Sequence, residues 1–300
     1  MLKTMDDIMK KAQSVRKRKL SVAVAQDLEV LTAVDNAFKN NIIDPILVGD
    51  EEAIKKIAAE NNIDISNWQI MDEKDDSKAA LQAVKNVSSG NADMIMKGLV
   101  STSVFLKAVL NREFGLRTGR LLSHVAVVEN ANYHKLLAVT DAAMNIAPDL
   151  SAKIDIVKNA AKVMTALGIE RPKVAPVCAV ETVNPAMEAT LHAAAISKMS
   201  DRGQLKGCIV DGPLALDNAV SKKAAEHKGI VSEVAGDADI ILLPDIEAGN
   251  VLYKALVFLA DVKLAAIIVG AKAPVVLTSR ADSDETKLRS IALAASCVLD

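Results

Sequence analysis

Short apolar runs alternate with longer amphipathic segments along almost the whole chain. Stretches such as LSVAVA (20–25), PILVG (45–49) and ADMIM (92–96) have the length and the aliphatic content of buried strands. The segments between them begin with polar residues and carry apolar residues at helical spacing. Strands and helices in this alternation build parallel sheets that helices cover on both faces. The pattern therefore predicts a doubly wound α/β protein with two sheets.

One stretch interrupts the alternation. The runs LLSHVAVVE (121–129) and YHKLLAVTD (133–141) follow each other without a helical segment, which predicts an antiparallel hairpin. The alternation then resumes and continues to a last helix at about 283–298. A chain of 300 residues is longer than one ordinary core, so two domains are expected. The turn-rich segment 141–151 is the expected crossover between them.

Composition and charge exclude several functional classes. A net charge of −2 with mixed signs gives no basic patch for nucleic acid. No apolar run reaches the roughly 18 residues of a membrane span. The stretch MLKTMDDIMKKAQSVRKRKL (1–20) has the pattern of an amphipathic helix and lacks the apolar region of a signal peptide. We therefore expect a cytoplasmic protein without nucleic-acid or membrane partners.

The cysteines and histidines give no sign of a metal site. Cys178, Cys208 and Cys297 are far apart and form no CxxC pair, so neither a zinc site nor a disulfide framework is indicated. Two of these cysteines lie in apolar runs, where cysteine usually behaves as a small hydrophobic residue. The four histidines show no metal-ligand spacing. The prediction is a chain with reduced cysteines and no bound metal.

Ligands of open α/β sheets bind at the carboxyl ends of the strands, so the residues that follow each strand are candidates. ADMIM is followed by Lys97 and Gly98, and Ser101 and Thr102 come at the start of the next helix. A lysine beside a helix N-terminus predicts a phosphate site. A capped helix with a solvated lysine is the alternative.

Other candidates follow later strands or lie in a loop. Asp211 follows GCIV, and Asp245 and Asn250 follow DIILLP; each is a ligand group or a residue of a turn or helix start. Arg117 and Arg120 lie with a further arginine in NREFGLRTGR. This stretch is either a loop that binds phosphate through its guanidinium groups or a solvated loop. Neither GxGxxG at a helix start nor GxxxxGK[ST] occurs, so the nucleotide-binding fingerprints are absent.

The stretch VVLTSRADSDETKL (275–288) ends an apolar strand in Ser279 and Arg280, just before the last helix. Asp282 and Glu285 have the spacing of a capping box, which predicts Asp282 as the cap of that helix. Capping explains the acidic residues. It does not explain a hydroxyl group and a guanidinium group at the end of a buried strand.

These segments carry a family resemblance. VDGPLALDNAV, LLPDIEAGNVLYKAL and PVVLTSRADS, in that order, resemble blocks of the phosphate acetyl/butyryltransferase family, as do TDAAMNIAPD and MKGLVSTSVFLKAVL. The stretch AVETVNPAMEATLHAAAISKM (179–199) and the sequence SRADSDE are closer to the butyryl branch. The resemblance covers roughly residues 85–300.

The resemblance implies a fold and a reaction. The fold is that of the isocitrate/isopropylmalate dehydrogenases: two doubly wound α/β domains with the active site in the cleft between them. Because the C-terminal segment returns to the first domain in that fold, residues 1–140 plus 270–300 are expected to form one domain and 141–269 the other. The implied reaction converts an acyl-CoA and phosphate into an acyl phosphate and CoA.

The resemblance also implies roles for the residues after the last strand. Ser279 matches the active-site serine, a hydrogen-bond donor to the reacting carbonyl or thiol, and Arg280 binds phosphate or the developing oxyanion. The acetyl branch has its catalytic Asp seven positions after the serine, where this chain has Thr286. Asp284 or Glu285 replaces that base, or the helix N-terminus and Arg280 favour the thiolate alone.

The remaining expectations concern partners and alternatives. The resemblance implies coenzyme A as a substrate, no tightly bound cofactor, a homo-oligomer and a functional link to an acyl kinase. Two related functions stay open: phosphate acetyltransferase, and a non-catalytic protein that binds CoA or acyl phosphate. A dehydrogenase of the same fold would need a nicotinamide site and a cluster of metal-binding Asp residues, and the sequence shows no such cluster.

Overall fold

A computed structural model of the protein describes residues 2–278 and 282–298. The strands are β1 (Arg18–Ala23), β2 (Ile43–Gly49), β3 (Gln69–Asp72), β4 (Met94–Lys97), β5 (Ser123–Asn130), β6 (Leu137–Thr140), β7 (Lys173–Pro176), β8 (Ile209–Val210), β9 (Ile240–Leu242), β10 (Val262–Val269) and β11 (Val275–Val276). The helices are α1 (Met5–Ser14), α2 (Leu28–Lys39), α3 (Glu51–Glu60), α4 (Asp76–Ser88), α5 (Thr102–Val109), α6 (Leu150–Ala166), α7 (Glu188–Asp201), α8 (Leu216–Val220), α9 (Lys222–His227), α10 (Ile246–Leu259) and α11 (Asp284–Cys297). No helix within these described ranges has the length and apolar character that a membrane crossing requires.

The chain divides into two compact units, each made of two segments. One unit combines Met1–Met5 with Leu121–Leu264, and we call it the hairpin unit. The other combines Asp6–Arg120 with Ala265–Asp300, and we call it the terminal unit. The C-terminal segment thus joins the N-terminal half of the chain in one unit.

The terminal unit contains the sheet order β3-β2-β1-β4-β11-β10, where β10 contributes its residues from Ala265 onward. The first five strands are parallel, and β10 runs antiparallel to β11. The residues of β4 are buried throughout, as the aliphatic composition of its sequence predicts. Because these strands are parallel, their carboxyl ends lie along one edge of the sheet.

The hairpin unit contains the sheet order β5-β6-β9-β7-β8. The strands β6, β9, β7 and β8 are parallel, and β5 pairs antiparallel with β6. The predicted hairpin is therefore confirmed. The division between the units falls at 120/121 and 264/265, whereas the expected domain boundaries fall at 140/141 and 269/270. The hairpin is grouped with the later strands because β6 pairs with β9; the assignment of independent domains stays a prediction.

Aspartates at N-cap positions begin several helices. The side chains of Asp27, Asp50, Asp75 and Asp149 accept hydrogen bonds from backbone amides of the first turns of α2, α3, α4 and α6. Each cap satisfies an amide that has no partner within its helix. The polar first residues of the helical segments therefore have a local physical cause.

The N-terminal helix is shorter than the sequence pattern predicts. The prediction extended the amphipathic helix over 1–20, but α1 ends at Ser14 and Arg18 already belongs to β1. Arg18 donates its backbone N–H to the carbonyl of Ile42 at 3.0 Å and pairs with Ile43 in the sheet. Sheet pairing overrides the local helical pattern at these residues.

A carboxylate before β9 ties the hairpin to the neighbouring strands. Asp237 accepts hydrogen bonds from Lys173 at 2.5 Å and from His134 at 2.8 Å, and it pairs with Lys135 at 2.9 Å. Partial burial opposes ionisation, but these three bonds outweigh it and hold the pKa of Asp237 far below its ordinary value. The charged form of Asp237 is therefore part of the folded structure.

Candidate active site

The carboxyl ends of three strands meet in the terminal unit. Ala23, the last residue of β1, is in register with Lys97 at the end of β4, and Val276 of β11 is in register with Met96. The chain after β11 therefore starts beside Lys97. The predicted catalytic residues Ser279 and Arg280 follow next in the sequence, and both lie outside the described residues.

Lys97 is buried at the turn between β4 and α5. Its ammonium donates to the carbonyl oxygens of Gly98 and Val100, each at 3.1 Å, so the alternative of a solvated lysine is wrong. Gly98 is required here because a Cβ atom would lie 2.2 Å from the carbonyl oxygen of Val24. The lysine charge is thus fixed at a tight turn.

The helix after this turn has the predicted polar start. Ser101 is the N-cap of α5, and its hydroxyl accepts a hydrogen bond from Val104 N at 3.3 Å. Thr102 is the first residue of the helix and is exposed. A buried ammonium, a capped helix N-terminus and an exposed hydroxyl group lie within six residues. This arrangement suits a phosphate group, and the binding role of these residues stays a prediction.

The predicted arginine pair lies on the loop before β5. Arg117 and Arg120 are exposed, and neither side chain makes a hydrogen bond or ion pair with the part of the chain that the structure describes. The loop itself is anchored, because Thr118 donates to the carbonyl of Gly270 at 2.5 Å and Lys272 donates its N–H to Leu116 at 2.8 Å. Two guanidinium groups without a partner among the described residues are therefore presented on an anchored backbone.

The predicted cap of the last helix is wrong by one residue. Ser283, not Asp282, is the N-cap of α11, and its hydroxyl accepts a hydrogen bond from Thr286 N at 3.2 Å. Lys287 is buried and donates to the carbonyl of Asp282 at 2.5 Å and to the carboxylate of Glu29 at 2.8 Å. The cap is thus the Ser283 hydroxyl, and the Asp282 carbonyl just before it is held by Lys287.

The two candidate bases have different surroundings on the first turn of α11. Glu285 is exposed and forms an ion pair with Arg289, one turn later, at 2.7 Å. Asp284 is half-buried, and its carboxylate has no hydrogen-bond partner among residues 2–278 and 282–298. Glu285 is thus held by a cation, and the carboxylate of Asp284 has no such ion pair with the described residues.

The start of α10 lies against the end of β6 in the hairpin unit. Asp245 is the N-cap of α10 and accepts a hydrogen bond from Ala248 N at 2.8 Å. Asn250 donates to the carbonyl of Ala142 at 3.3 Å. Gly249 faces this segment so closely that a Cβ atom would lie 2.3 Å from the carbonyl oxygen of Asp141. Asp245 and Asn250 are thus brought together at this edge.

The third predicted residue of this unit lies farther along the same edge. Asp211 follows β8, is half-buried, and donates its N–H to the carbonyl of Val174 at 3.2 Å. Strands β7 and β9 separate β8 from β6 in the sheet order. The structure therefore places Asp211 at the predicted strand end but two strands away from the Asp245–Asn250 pair.

Sequence reasoning missed three side chains at the end of the hairpin. Asp141 accepts hydrogen bonds from Ala143 N at 2.9 Å and from the Asn145 side chain at 2.5 Å. His124 is buried, and its ring stands edge-on to Tyr253 with centroids 5.5 Å apart. Burial lowers the pKa of His124, and the charge of Asp141 opposes that effect. The block TDAAMNIAPD contains Asp141, but nothing in the sequence pairs it with His124.

A small cavity that the sequence did not predict lies between the ends of β7 and β9. It is lined by 176–178, 242–244, one face of α7 and Lys153 of α6, and its volume of about 10 Å³ gives room for about one water molecule. Lys153 is buried, and its ammonium lies 3.1 Å from His192 Nδ1. Burial lowers the pKa of Lys153, and the negative charges of Glu188, Asp245 and Asp149 oppose this effect.

The cysteines are free thiols in the described structure. Burial raises the pKa of the Cys178 thiol, although Lys153 opposes this, and burial raises the pKa of Cys208 to about 11. Both groups are therefore protonated at neutral pH, as expected of small buried hydrophobic residues. Across residues 2–278 and 282–298, no group of three or more His, Cys, Asp or Glu side chains has the arrangement of a metal site.

Comparison with known proteins decides the family. The family model described as "Phosphate acetyl/butaryl transferase" matches residues 3–81 and 76–295. The chain belongs to this family. The resemblance seen in the sequence blocks is thereby confirmed, and the protein is a transferase.

Individual relatives cover nearly the whole chain. The phosphate butyryltransferase of Clostridium acetobutylicum is 58% identical over 295 residues, which are 98% of this chain and 98% of the relative. The phosphate acetyltransferase of Thermotoga maritima is 50% identical over 278 residues, 93% of this chain and 94% of the relative. Both branches of the family are therefore close in sequence.

A solved structure confirms the fold class. The branched-chain phosphotransacylase of Enterococcus faecalis V583 superposes with a TM-score of 0.83 at 36% identity and covers 94% of this chain and 99% of that chain. The doubly wound α/β prediction, with the dehydrogenase-like fold that the resemblance implied, is confirmed.

Proposed function

We propose that this family member catalyses the reversible transfer of a short acyl group, butyryl in the first place, between coenzyme A and inorganic phosphate. The observation that carries the proposal is the 58% identity over 98% of the chain to a protein named phosphate butyryltransferase. In one direction a phosphate oxygen attacks the thioester carbonyl and the CoA thiolate leaves. In the other, the thiolate attacks the acyl phosphate and phosphate leaves.

Both directions place negative charge near the end of β11. We assign Arg280 to the phosphate group and Ser279 to a hydrogen bond with the reacting carbonyl or thiol. Lys97 and the N-terminus of α5 follow the neighbouring strand β4, which supports a phosphate subsite at this edge. Ser101, Thr102, Arg117 and Arg120 are proposed to bind phosphate groups of the substrates, and Asp211, Asp245 and Asn250 to bind substrate from the hairpin unit.

We propose Asp284 as the group that removes the CoA thiol proton. A free thiol with a pKa of about 8.5 is mostly protonated at neutral pH, so a base accelerates its attack. Glu285 is less suited because Arg289 already holds it at the exposed surface. Asp284→Asn should lower turnover in the thiol-attack direction and flatten the acid limb of the pH–rate profile. Glu285→Gln is the matched control, and an acid limb that changes only in the control would reverse the assignment.

The proposal extends to the setting of the enzyme. We propose a cytoplasmic homo-oligomer without a tightly bound cofactor, whose acyl phosphate product is used by an acyl kinase. These statements rest on the family resemblance. Size measurement of the purified protein and its activity after exhaustive dialysis test the oligomer and the cofactor statement separately.

A turnover assay tests the function. Purified protein is mixed with butyryl-, propionyl- or acetyl-CoA and phosphate, and release of free CoA thiol is followed. The proposal expects phosphate-dependent release that is fastest with butyryl-CoA. Faster turnover of acetyl-CoA would make the protein a phosphate acetyltransferase. Binding of CoA without turnover of any thioester would make it a non-catalytic binding protein.

A further inference from the structure

Helix α10 presents large apolar side chains to solvent. Of its 14 residues, all of which the structure describes, only Gly249 is buried, whereas α11 has the same length and eight buried residues. Val251 is 69% exposed and Phe258 is 68% exposed. A single exposed apolar side chain is common, but a row of them along one helix marks an interaction surface.

The exposed apolar side chains form one stripe along the helix. An α-helix has about 3.6 residues per turn, so Val251, Ala255 and Phe258, at spacings of four and three, lie on one face. Gly249 lies on the opposite face and packs on the Asp141 backbone. The stripe therefore faces away from the rest of its unit.

Two opposite charges accompany the stripe. Glu247 and Lys254 are the charged residues of α10; both are exposed, and neither forms an ion pair with the described residues. They stand seven residues apart on the same side of the helix, with Val251 between them. A surface with an apolar centre, an acid toward one end and a base toward the other is complementary to a reversed copy of itself.

We propose that α10 is the contact surface between two copies of this chain, paired about a two-fold axis at Asn250–Val251. The two helices run antiparallel, so Val251 packs against the same residue of the second copy. Glu247 of each copy pairs with Lys254 of the other. The inference rests on the proposed homo-oligomer and adds the surface that forms it.

The ends of this pairing are apolar as well. Phe258 lies seven residues beyond Val251, which is about 10 Å along the helix. The second copy's helix begins at Ile246, so Phe258 reaches past that beginning. Ile146 lies there, because its carbonyl accepts a hydrogen bond from Ile246 N at 3.0 Å, and its side chain is 75% exposed. The pairing thus covers Phe258 with Ile146 at both ends.

A charge at the centre tests the surface. Sedimentation equilibrium over a dilution series measures the Kd of the dimer. Val251→Asp places two carboxylates against each other on the axis, so the Kd should rise at least about 100-fold. Val231→Asp is the matched control, because Val231 is fully exposed on the loop between α9 and β9 and should leave the Kd unchanged. An unchanged Kd in Val251→Asp, or an equal rise in Val231→Asp, would overturn the proposal.

A charge exchange tests the register. Glu247→Lys and Lys254→Glu each turn two attractions into two repulsions, so each should raise the Kd about tenfold. The double variant restores opposite charges and should return the Kd to within about threefold of wild type. Both positions are exposed, so neither substitution disturbs the core. A double variant that dimerises as weakly as the single variants would overturn the antiparallel pairing.

The mass of the wild type separates the possible failures. A monomeric wild type would overturn the homo-oligomer together with this surface and would leave α10 to a partner of another kind. A dimer whose Kd is the same in all variants would keep the homo-oligomer and reject α10 as its surface. Neither result depends on turnover of butyryl-CoA, so a failure of the proposed acyl transfer is recognised separately.

Discussion

The contact between α10 and the end of the hairpin gives a sharp prediction. Gly249 packs on the Asp141 backbone, and an added Cβ atom would lie 2.3 Å from the Asp141 oxygen and 2.9 Å from Ala142 Cα. Ordinary contact begins at 3.4 Å, so Gly249→Ala must move the helix away from the hairpin by about 1 Å. Asp245 and Asn250 move with that helix.

The magnitude follows from two opposing effects. Overpacking of this kind costs about 1–3 kcal/mol, and alanine gains about 1 kcal/mol over glycine inside a helix. We therefore expect the free energy of unfolding to fall by roughly 0–2 kcal/mol. A misplacement of about 1 Å at a substrate-binding group costs up to roughly 100-fold in rate, so with Asp245 and Asn250 in their proposed role kcat/KM should fall far more than the stability loss suggests.

Urea unfolding and butyryl-CoA turnover measure the two effects on the same preparation. Ala248→Gly is the control, because it costs about 1 kcal/mol of helix propensity without adding an atom and should keep its activity. If Gly249→Ala unfolds and turns over like wild type, the helix does not depend on this contact and the reasoning is refuted.

Three further variants test other parts of the structure. Ser283→Ala should lower the free energy of unfolding by about 1 kcal/mol because it removes the α11 cap, whereas Ser283→Asp keeps a capping oxygen and should cost little; equal losses in urea unfolding would contradict the cap assignment. Lys287→Met removes the donor to the Asp282 carbonyl just before α11, so kcat should fall at least tenfold, and unchanged kcat would show that catalysis does not depend on this anchor. Asp237→Asn removes a carboxylate whose pKa is lower in the folded state than in the unfolded state. The stabilisation of the fold by this carboxylate is present above its unfolded pKa of about 4 and is lost on acidification. The stability gap between wild type and Asp237→Asn should therefore narrow between pH 7 and pH 2, and a gap that widens on acidification would reverse the sign of the argument.

Periodicity was sufficient to predict the architecture but not the ends of its elements. The strand predicted at 45–49 begins at Ile43, because Ile43 pairs with Arg18 across the sheet. The same pairing shortens α1, whose helical pattern continues past Ser14 in the sequence. The ends of these elements are set by pairing with residues that lie far away along the chain. The local spacing of apolar residues carries no information about such partners.

In the candidate site, likewise, the local sequence was not sufficient to predict which side chains contact each other. Asp282 and Ser283 are both polar residues just before the helix, and in the folded structure the Ser283 hydroxyl accepts the capping bond from Thr286 N. Lys153 and His192 stand 39 residues apart and meet because α6 packs on α7. The binding role of the strand-end residues stays a prediction, and the local sequence could not predict partners that tertiary packing brings together.

Simultaneous measurement of both products tests the central claim most directly. Butyryl-CoA and phosphate are incubated with the enzyme, free thiol is titrated, and the acyl phosphate is trapped with hydroxylamine as the hydroxamate. The account predicts phosphate-dependent formation of thiol and hydroxamate in equal amounts, and loss of both in Ser279→Ala. Thiol release without hydroxamate, at the same rate with and without phosphate, would mean thioester hydrolysis and would contradict acyl transfer to phosphate.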